Sequence, residues 1–358
     1  MRPKTHRWAS TFLAPLALTA GAAGADPTYH ASLLWNNEAV DTPDGTLRSG
    51  ATYDSMLLAA LDARIGDDTA PANGKLHISF LGVRSGLPST NYIGDFQTAS
   101  NIEAPDATRI YSAWYRQTWA HANSIQAGLI DLNTLFDVTD AAGLLLNASF
   151  GLDPTLSGNL PVSTYPEPGY GIVFGRTQGT FALNVGLFQA DPTQRMGPIG
   201  QGALAIAELD YGYANNLPTQ IGIGLWRYRQ PNPIIAATSL TGGYINLSQS
   251  LNGSGVRHTR AFLRLGMAPG SDSPVPRHLS VGFDMSSPIA TRPDDHLSIG
   301  MTSAALRGQN TETTYEATYQ IALNEQFALQ PDFQYITHVS GTDRNASVFI
   351  LRLQLALD

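Results

Sequence analysis

The stretch HTRAFLRLGMAP, residues 258–269, alternates Arg260, Phe262, Arg264 and Gly266 with Ala261, Leu263, Leu265 and Met267. In a β-strand that alternation puts the two sets on opposite faces. Two guanidinium groups flanking a phenyl ring hydrogen-bond hydroxyls while the ring covers C–H surface, which is chemistry suited to a neutral polyol. Glu208 and Asp210, also two residues apart, have the types needed for the acid and nucleophile of a glycosidase. Placed on one face of a strand, they are more simply charges lining a wall. Other catalytic patterns are missing from the sequence: it has no G-x-S-x-G elbow and no H-E-x-x-H, and Gly74-Lys75 is followed by Leu76 where a phosphate-binding loop needs Ser or Thr. The eight histidines are scattered singly and there is no cysteine, so neither a metal nor any other cofactor is expected.

The elements that must carry these residues follow from composition and period. The chain has 358 residues, 34 Gly, 22 Pro, only 14% charged residues and a formal net charge of -8. No basic stripe matches a phosphate backbone, so nucleic acid is excluded as a partner. The first 25 residues combine Arg2, Lys4 and Arg7 with a short apolar run and the small-residue ending Ala23-Gly24-Ala25, the pattern of a cleaved secretory signal peptide. From residue 26 onward the chain reads as a single domain. Nothing downstream approaches 18 consecutive apolar residues, so no transmembrane helix is expected. Instead, FALNVGLFQ (181–189), HLSVGFDM (278–285), HLSIGMTS (296–303), TYEATYQIAL (314–323) and SVFILRLQLAL (347–357) alternate with period two. A soluble sandwich would carry Lys and Glu on its outer face, whereas here the second face is mostly Gly, Ser, Thr, Asn, Gln and Ala. That balance fits an all-β transmembrane barrel, whose apolar face meets lipid and whose closure leaves no edge unpaired.

Connection lengths provide a count. Barrels of this kind alternate short periplasmic turns with longer external loops. Short links at 176–179, 215–218, 252–257 and 324–326 alternate with links at 191–202, 230–240, 269–276, 307–310 and 341–345. The 288–295 link is longer than the rule wants. Eleven strands run from Gly171 to the C-terminus. Upstream lie six apolar candidates: 30–40, 52–65, 74–84, 108–119, 124–132 and 144–150. Using all six would give an odd total and set neighbouring strands in the wrong direction, so 144–150 belongs to a connection. The expectation is a 16-stranded antiparallel barrel with a long external connection, 133–169, folded into the lumen to bury its apolar residues.

The same parity turns Arg260, Phe262 and Arg264 toward the lumen, since an arginine on the lipid face costs about 2 to 4 kcal/mol at the midplane. It places Glu208, Asp210, Asp284, Glu316, Asp332, Arg352 and Phe188 there too. The pore-lining and substrate-binding candidates are therefore Arg260, Phe262, Arg264, Glu208, Asp210, Glu316, Arg352 and Phe188, a mixed-charge lumen suited to neutral sugars. For each of these residues the other reading is mutual pairing that braces the wall.

Several motifs also carry a resemblance. IGDFQTASNIEAP (93–105), RIYSAWYRQTW (109–119), AGLIDLNTLFD (127–137), LLLNASFG (144–151) and LQPDFQYITH (329–338) resemble the carbohydrate-selective outer-membrane porins of the OprB family, in register over most of the chain. The resemblance implies a 16-stranded bacterial outer-membrane barrel passing glucose and related sugars by facilitated diffusion. It also implies an inward-folded constriction near Asp95, Gln97, Asn101, Glu103, Asp131, Asn133 and Asn147. Where that family closes its last strand on an aromatic residue, this chain ends Leu357-Asp358. Expected partners are small neutral sugars, outer-membrane lipids, the barrel-assembly machinery and, in a homo-oligomer, further copies of the chain. A general diffusion channel is the alternative, and an exported soluble glycoside hydrolase a more distant one.

Overall fold

A computed structural model describes residues 28–66, 72–120, 122–195, 202–213, 217–230, 239–252 and 257–358. The expected signal peptide lies outside them. The described residues form sixteen strands: β1 (Thr28–Thr42), β2 (Gly50–Ile65), β3 (Ala72–Ser85), β4 (Ala107–Trp119), β5 (Asn123–Leu129), β6 (Tyr170–Gln178), β7 (Phe181–Gln189) and β8 (Ala203–Tyr213), then β9 (Thr219–Arg229), β10 (Ser239–Ser250), β11 (His258–Met267), β12 (Arg277–Ser286), β13 (His296–Ala305), β14 (Glu312–Ala322), β15 (Phe327–Thr337) and β16 (Ala346–Leu357). Each pairs antiparallel with its sequence neighbours, and β16 pairs with β1 to close the barrel. The stretch 144–150 contributes no strand and carries a short 3-10 turn, Ala148–Phe150, within the β5–β6 connection.

Period two explains the wall. On β16, Phe349, Leu351 and Leu353 are exposed on the outside while Val348, Ile350, Arg352 and Gln354 are buried inside. On β11, Leu265 and Met267 face out, whereas Phe262 and Arg264 face in. The apolar core therefore lies within the barrel, between the inner wall and the 130–169 connection. Ile130, Leu132, Phe136, Leu145, Leu146, Phe150 and Leu156 of that connection are all at most 2% exposed. Two edge-to-face ring pairs join the connection to the wall, Phe136 with Phe188 and Phe150 with Phe262, each at 6.0 Å between centroids. Inward glycines make room for it. A Cβ at Gly300 would stand 2.7 Å from Leu145 Cδ1, and one at Gly266 would collide with the Asp153 carboxylate. The 86–106 connection between β3 and β4 packs inward as well, with Ile93, Ala99 and Ile102 fully buried.

The long 287–295 turn is held by Asp295, which accepts from the Arg292 guanidinium (2.8 and 2.9 Å), the Tyr319 hydroxyl (2.8 Å) and the Ala322 amide (3.0 Å). Burial alone would raise the Asp295 carboxyl. These donors outweigh it and hold the group below the usual carboxylate range.

Candidate functional site

A backbone segment crossing the inside of a barrel brings amide and carbonyl groups with no ladder to join, and each must find a partner. The charged side chains of the wall supply those partners. Glu316 on β14 accepts from the amides of Leu146 and, at 3.0 Å, Asn147. Glu312 on the same strand accepts from the amides of Phe96, Gln97 and Ser340 at 2.8, 2.8 and 2.6 Å. Glu208 on β8 accepts from the Asp137 amide at 2.7 Å and from the Tyr244 hydroxyl. Arg264 on β11 is fully buried. Its guanidinium donates to the carbonyls of Ser149 (3.2 Å), Phe150, Asp137 (3.3 Å) and Gly151 (3.4 Å), and pairs with the Asp137 carboxylate at 2.7 Å. Arg352 on β16 pairs with Glu38 and donates to the Asn101 side chain at 2.6 Å, while Ser100 donates to the other Glu38 oxygen at 2.6 Å.

These contacts correct one expectation. Arg264, Phe262, Phe188 and Arg352 face inward as parity requires, but the two inward connections lie between them and the lumen water. Their exposures are 0%, 2%, 1% and 4%. A guanidinium inside a barrel needs acceptors, and the carbonyls of the connection provide them. Glu208 and Glu316 are likewise occupied with loop amides. Asp210 is less deeply placed and borders a cavity together with Glu208. Arg260 is partly exposed and pairs with Asp284 at 2.9 Å. Asp332 is buried on β15, where its Oδ1 accepts from Gln334 at 3.1 Å.

Among the described residues, three cavities bear on the site. One of about 480 Å³ lies among the connections and is lined by Phe96, Gln97, Asn101, Asp131, Asn133 and Tyr165, among others. Four of the seven constriction candidates meet there. The other three do not border it: Asp95 lies beside Glu312, Glu103 accepts from the Ser89 and Thr90 amides at 2.9 and 3.3 Å, and Asn147 caps its own turn by accepting from the Ser149 amide at 3.1 Å. Phe96 and Tyr165 had no place among the candidates, because they sit on connections where no period marks a face. Asn133 donates from Nδ2 to the carbonyls of Phe136, Asp137 and Gly151. Its Oδ1 has no protein donor among the described residues, which leaves an acceptor on the cavity.

Two further cavities, about 280 and 820 Å³, lie toward the mouth carrying the short turns. Asp131 borders both the first cavity and the 280 Å³ one, so it stands where they meet. A β-bulge prepares this junction. The β3–β4 register shifts between Ile78 and Phe80, so the successive residues Tyr111 and Ser112 both turn inward. Tyr111 donates to the Asp131 carboxylate, which also accepts from the Asn133 amide and the Thr164 hydroxyl, both at 2.9 Å. Burial nonetheless pushes the Asp131 carboxyl above its usual range, because it outweighs those hydrogen bonds.

The sequence pattern of the carbohydrate-selective porin family, OprB, matches residues 49–357. The chain belongs to that family. Among solved structures, a Pseudomonas putida OprB described as a high-pH structure superposes with a TM-score of 0.80 at 16% identity, over 92% of this chain and 94% of that one. The low-pH structure of the same P. putida protein gives 0.60 at 17% identity, over 92% of each chain. An anion-selective porin from Comamonas acidovorans gives 0.60 at 10% identity, over 93% of this chain and 100% of that one. At these identities the structures establish the shared barrel. No curated protein matches the chain. As an OprB-family barrel the protein is a carbohydrate-selective porin, and the paired carboxylates Glu208 and Asp210 sit on strand β8 of its wall.

Proposed function

We propose that glucose and related neutral sugars cross by facilitated diffusion through the 480 Å³ cavity, past Asp131, and into the two cavities beyond. The observation that carries this reading is the 130–169 connection, bonded across the inner wall, which leaves amide, hydroxyl and aromatic groups around a cavity within the range typical of small-molecule sites. Phe96 offers a ring to the sugar's C–H surface, and Asn133 Oδ1, Asn101, Gln97 and Asp131 border its path. Such weak, repeated contacts favour entry and still permit exit, so no energy source or covalent step is needed. The protein works in the bacterial outer membrane, with residues 1–25 removed on export and 26–358 forming one barrel domain among lipids, inserted by the barrel-assembly machinery. Swelling of proteoliposomes in isotonic sugar tests the reading. Glucose is expected to enter faster than a neutral non-sugar solute of equal size, and equal rates would make the protein a general diffusion channel.

A further inference from the structure

The 280 Å³ cavity contains a cluster that the sugar path described above does not use. Lys75 and His77 on β3 share one oxygen of Asp62 at 2.8 Å each, and His77 Nε2 meets the Ser112 hydroxyl at 2.9 Å, brought inward by the bulge. The Trp114 ring is stacked on His77 at 4.8 Å, and the cationic ends of Lys75 and Arg116 lie 5.5 and 5.6 Å from its centroid. Arg116 donates from Nε to Gln126 at 2.8 Å. Among the described residues no carboxylate lies within ion-pair distance of it. It borders both cavities at the short-turn mouth.

Two of the three other carboxylates facing this space are already engaged. Asp62 is shared by Lys75 and His77, Asp131 is held by Tyr111, Thr164 and the Asn133 amide, and Asp358 is exposed at the mouth. Neutral-sugar recognition would want a bare aromatic face, and Trp114 has given its ring to His77 and the two cations. What remains available is a planar guanidinium held by Gln126 and Trp114, a geometry matched to a carboxylate. Ser112, Thr134 and Gln126 surround it with groups suited to hydroxyls.

We propose that this cavity is an exit-side site for a polyhydroxylated carboxylate, a sugar acid, with Arg116 gripping the carboxylate. The proposal rests on the sugar-porin reading and adds a charged substrate class to it. Glucuronate is the direct probe, because it differs from glucose only in bearing a carboxylate at C6. In planar bilayers, half-block of the wild-type channel by glucuronate added at the short-turn side is measured against half-block by glucose added at the opposite side. A lost charge-assisted pair predicts that Arg116→Gln raises the half-blocking glucuronate concentration at least about tenfold, with glucose block unchanged. If R116Q fails to insert, Arg116→Lys, which keeps the charge without the fork, is expected to weaken glucuronate block severalfold. Glucuronate block unaltered by either variant overturns the site, as does an equal loss of glucose and glucuronate block. If glucose never blocks the wild type while glucuronate does so through Arg116, the neutral-sugar reading falls and this site stands.

Discussion

Replacing Arg264 by methionine tests whether the wall charges hold the inward connection. The substitution keeps an unbranched apolar stem but removes the guanidinium's hydrogen bonds to the carbonyls of Ser149, Phe150, Asp137 and Gly151, and leaves the fully buried Asp137 carboxylate without its 2.7 Å partner. Breaking a buried pair from one side costs about 3 to 5 kcal/mol. Against this, burial of Phe136, Leu145, Phe150 and Leu156 holds the same connection by roughly 1.5 to 3 kcal/mol each, about 6 to 12 kcal/mol together. The apolar term is the larger, so the connection stays inside, but its opened state becomes more populated by roughly 10² to 5 × 10³ fold. Single-channel recordings of Arg264→Met should therefore show the wild-type main conductance interrupted by frequent wider substates, with glucose discrimination reduced. Arg264→Lys, which keeps the charge and loses the fork, should fall between the two. A quiet R264M trace with wild-type selectivity would refute the anchoring role.

Three other substitutions probe different parts of the structure. Phe96→Leu removes the aromatic face from the outer cavity and should raise the half-blocking glucose concentration about 2- to 10-fold at unchanged conductance, corresponding to about 0.5 to 1.5 kcal/mol; an unchanged titration would move sugar contact elsewhere. Leu351→Arg places a charge on the outer face of β16 at about 2 to 4 kcal/mol, and the fraction inserting into lipid vesicles should drop. Asp95→Asn should raise thermal stability at neutral and alkaline pH. Burial and the neighbouring Glu312 push the Asp95 carboxyl well above its usual range, so the native state holds that proton longer than the unfolded chain does and loses stability as pH rises from the unfolded value toward the folded one. The variant's advantage should vanish in acid, where Asp95 is protonated in both states, and an advantage independent of pH would contradict the assignment.

The wall was legible in the sequence because period two and turn length are local. They yielded the strand count, removed 144–150 from the wall, and turned Glu208, Glu316, Arg264 and Arg352 inward. Parity reports a face, however, and says nothing of what lies across from it. Arg260 and Arg264 share one face of one strand, yet Arg260 retains partial exposure beside Asp284 while Arg264 is covered by Phe150 and Gly151. Only the path of the 130–169 connection separates their roles, and that path is set by long-range contacts such as Glu316 with Leu146 and Asn147. The bulge at Tyr111 and Ser112 breaks the alternation that a period-based reading depends on, so Asp131 is legible as a constriction candidate through the family resemblance but not as a meeting point of cavities.

Selective passage of sugar through this barrel is tested by single-channel conductance of the refolded protein lacking residues 1–25, titrated with glucose and then with an uncharged non-sugar of similar size. Discrete steps are expected that millimolar glucose reduces in a saturable way and that the non-sugar leaves nearly unchanged. Steps equally indifferent to both solutes would contradict selective passage.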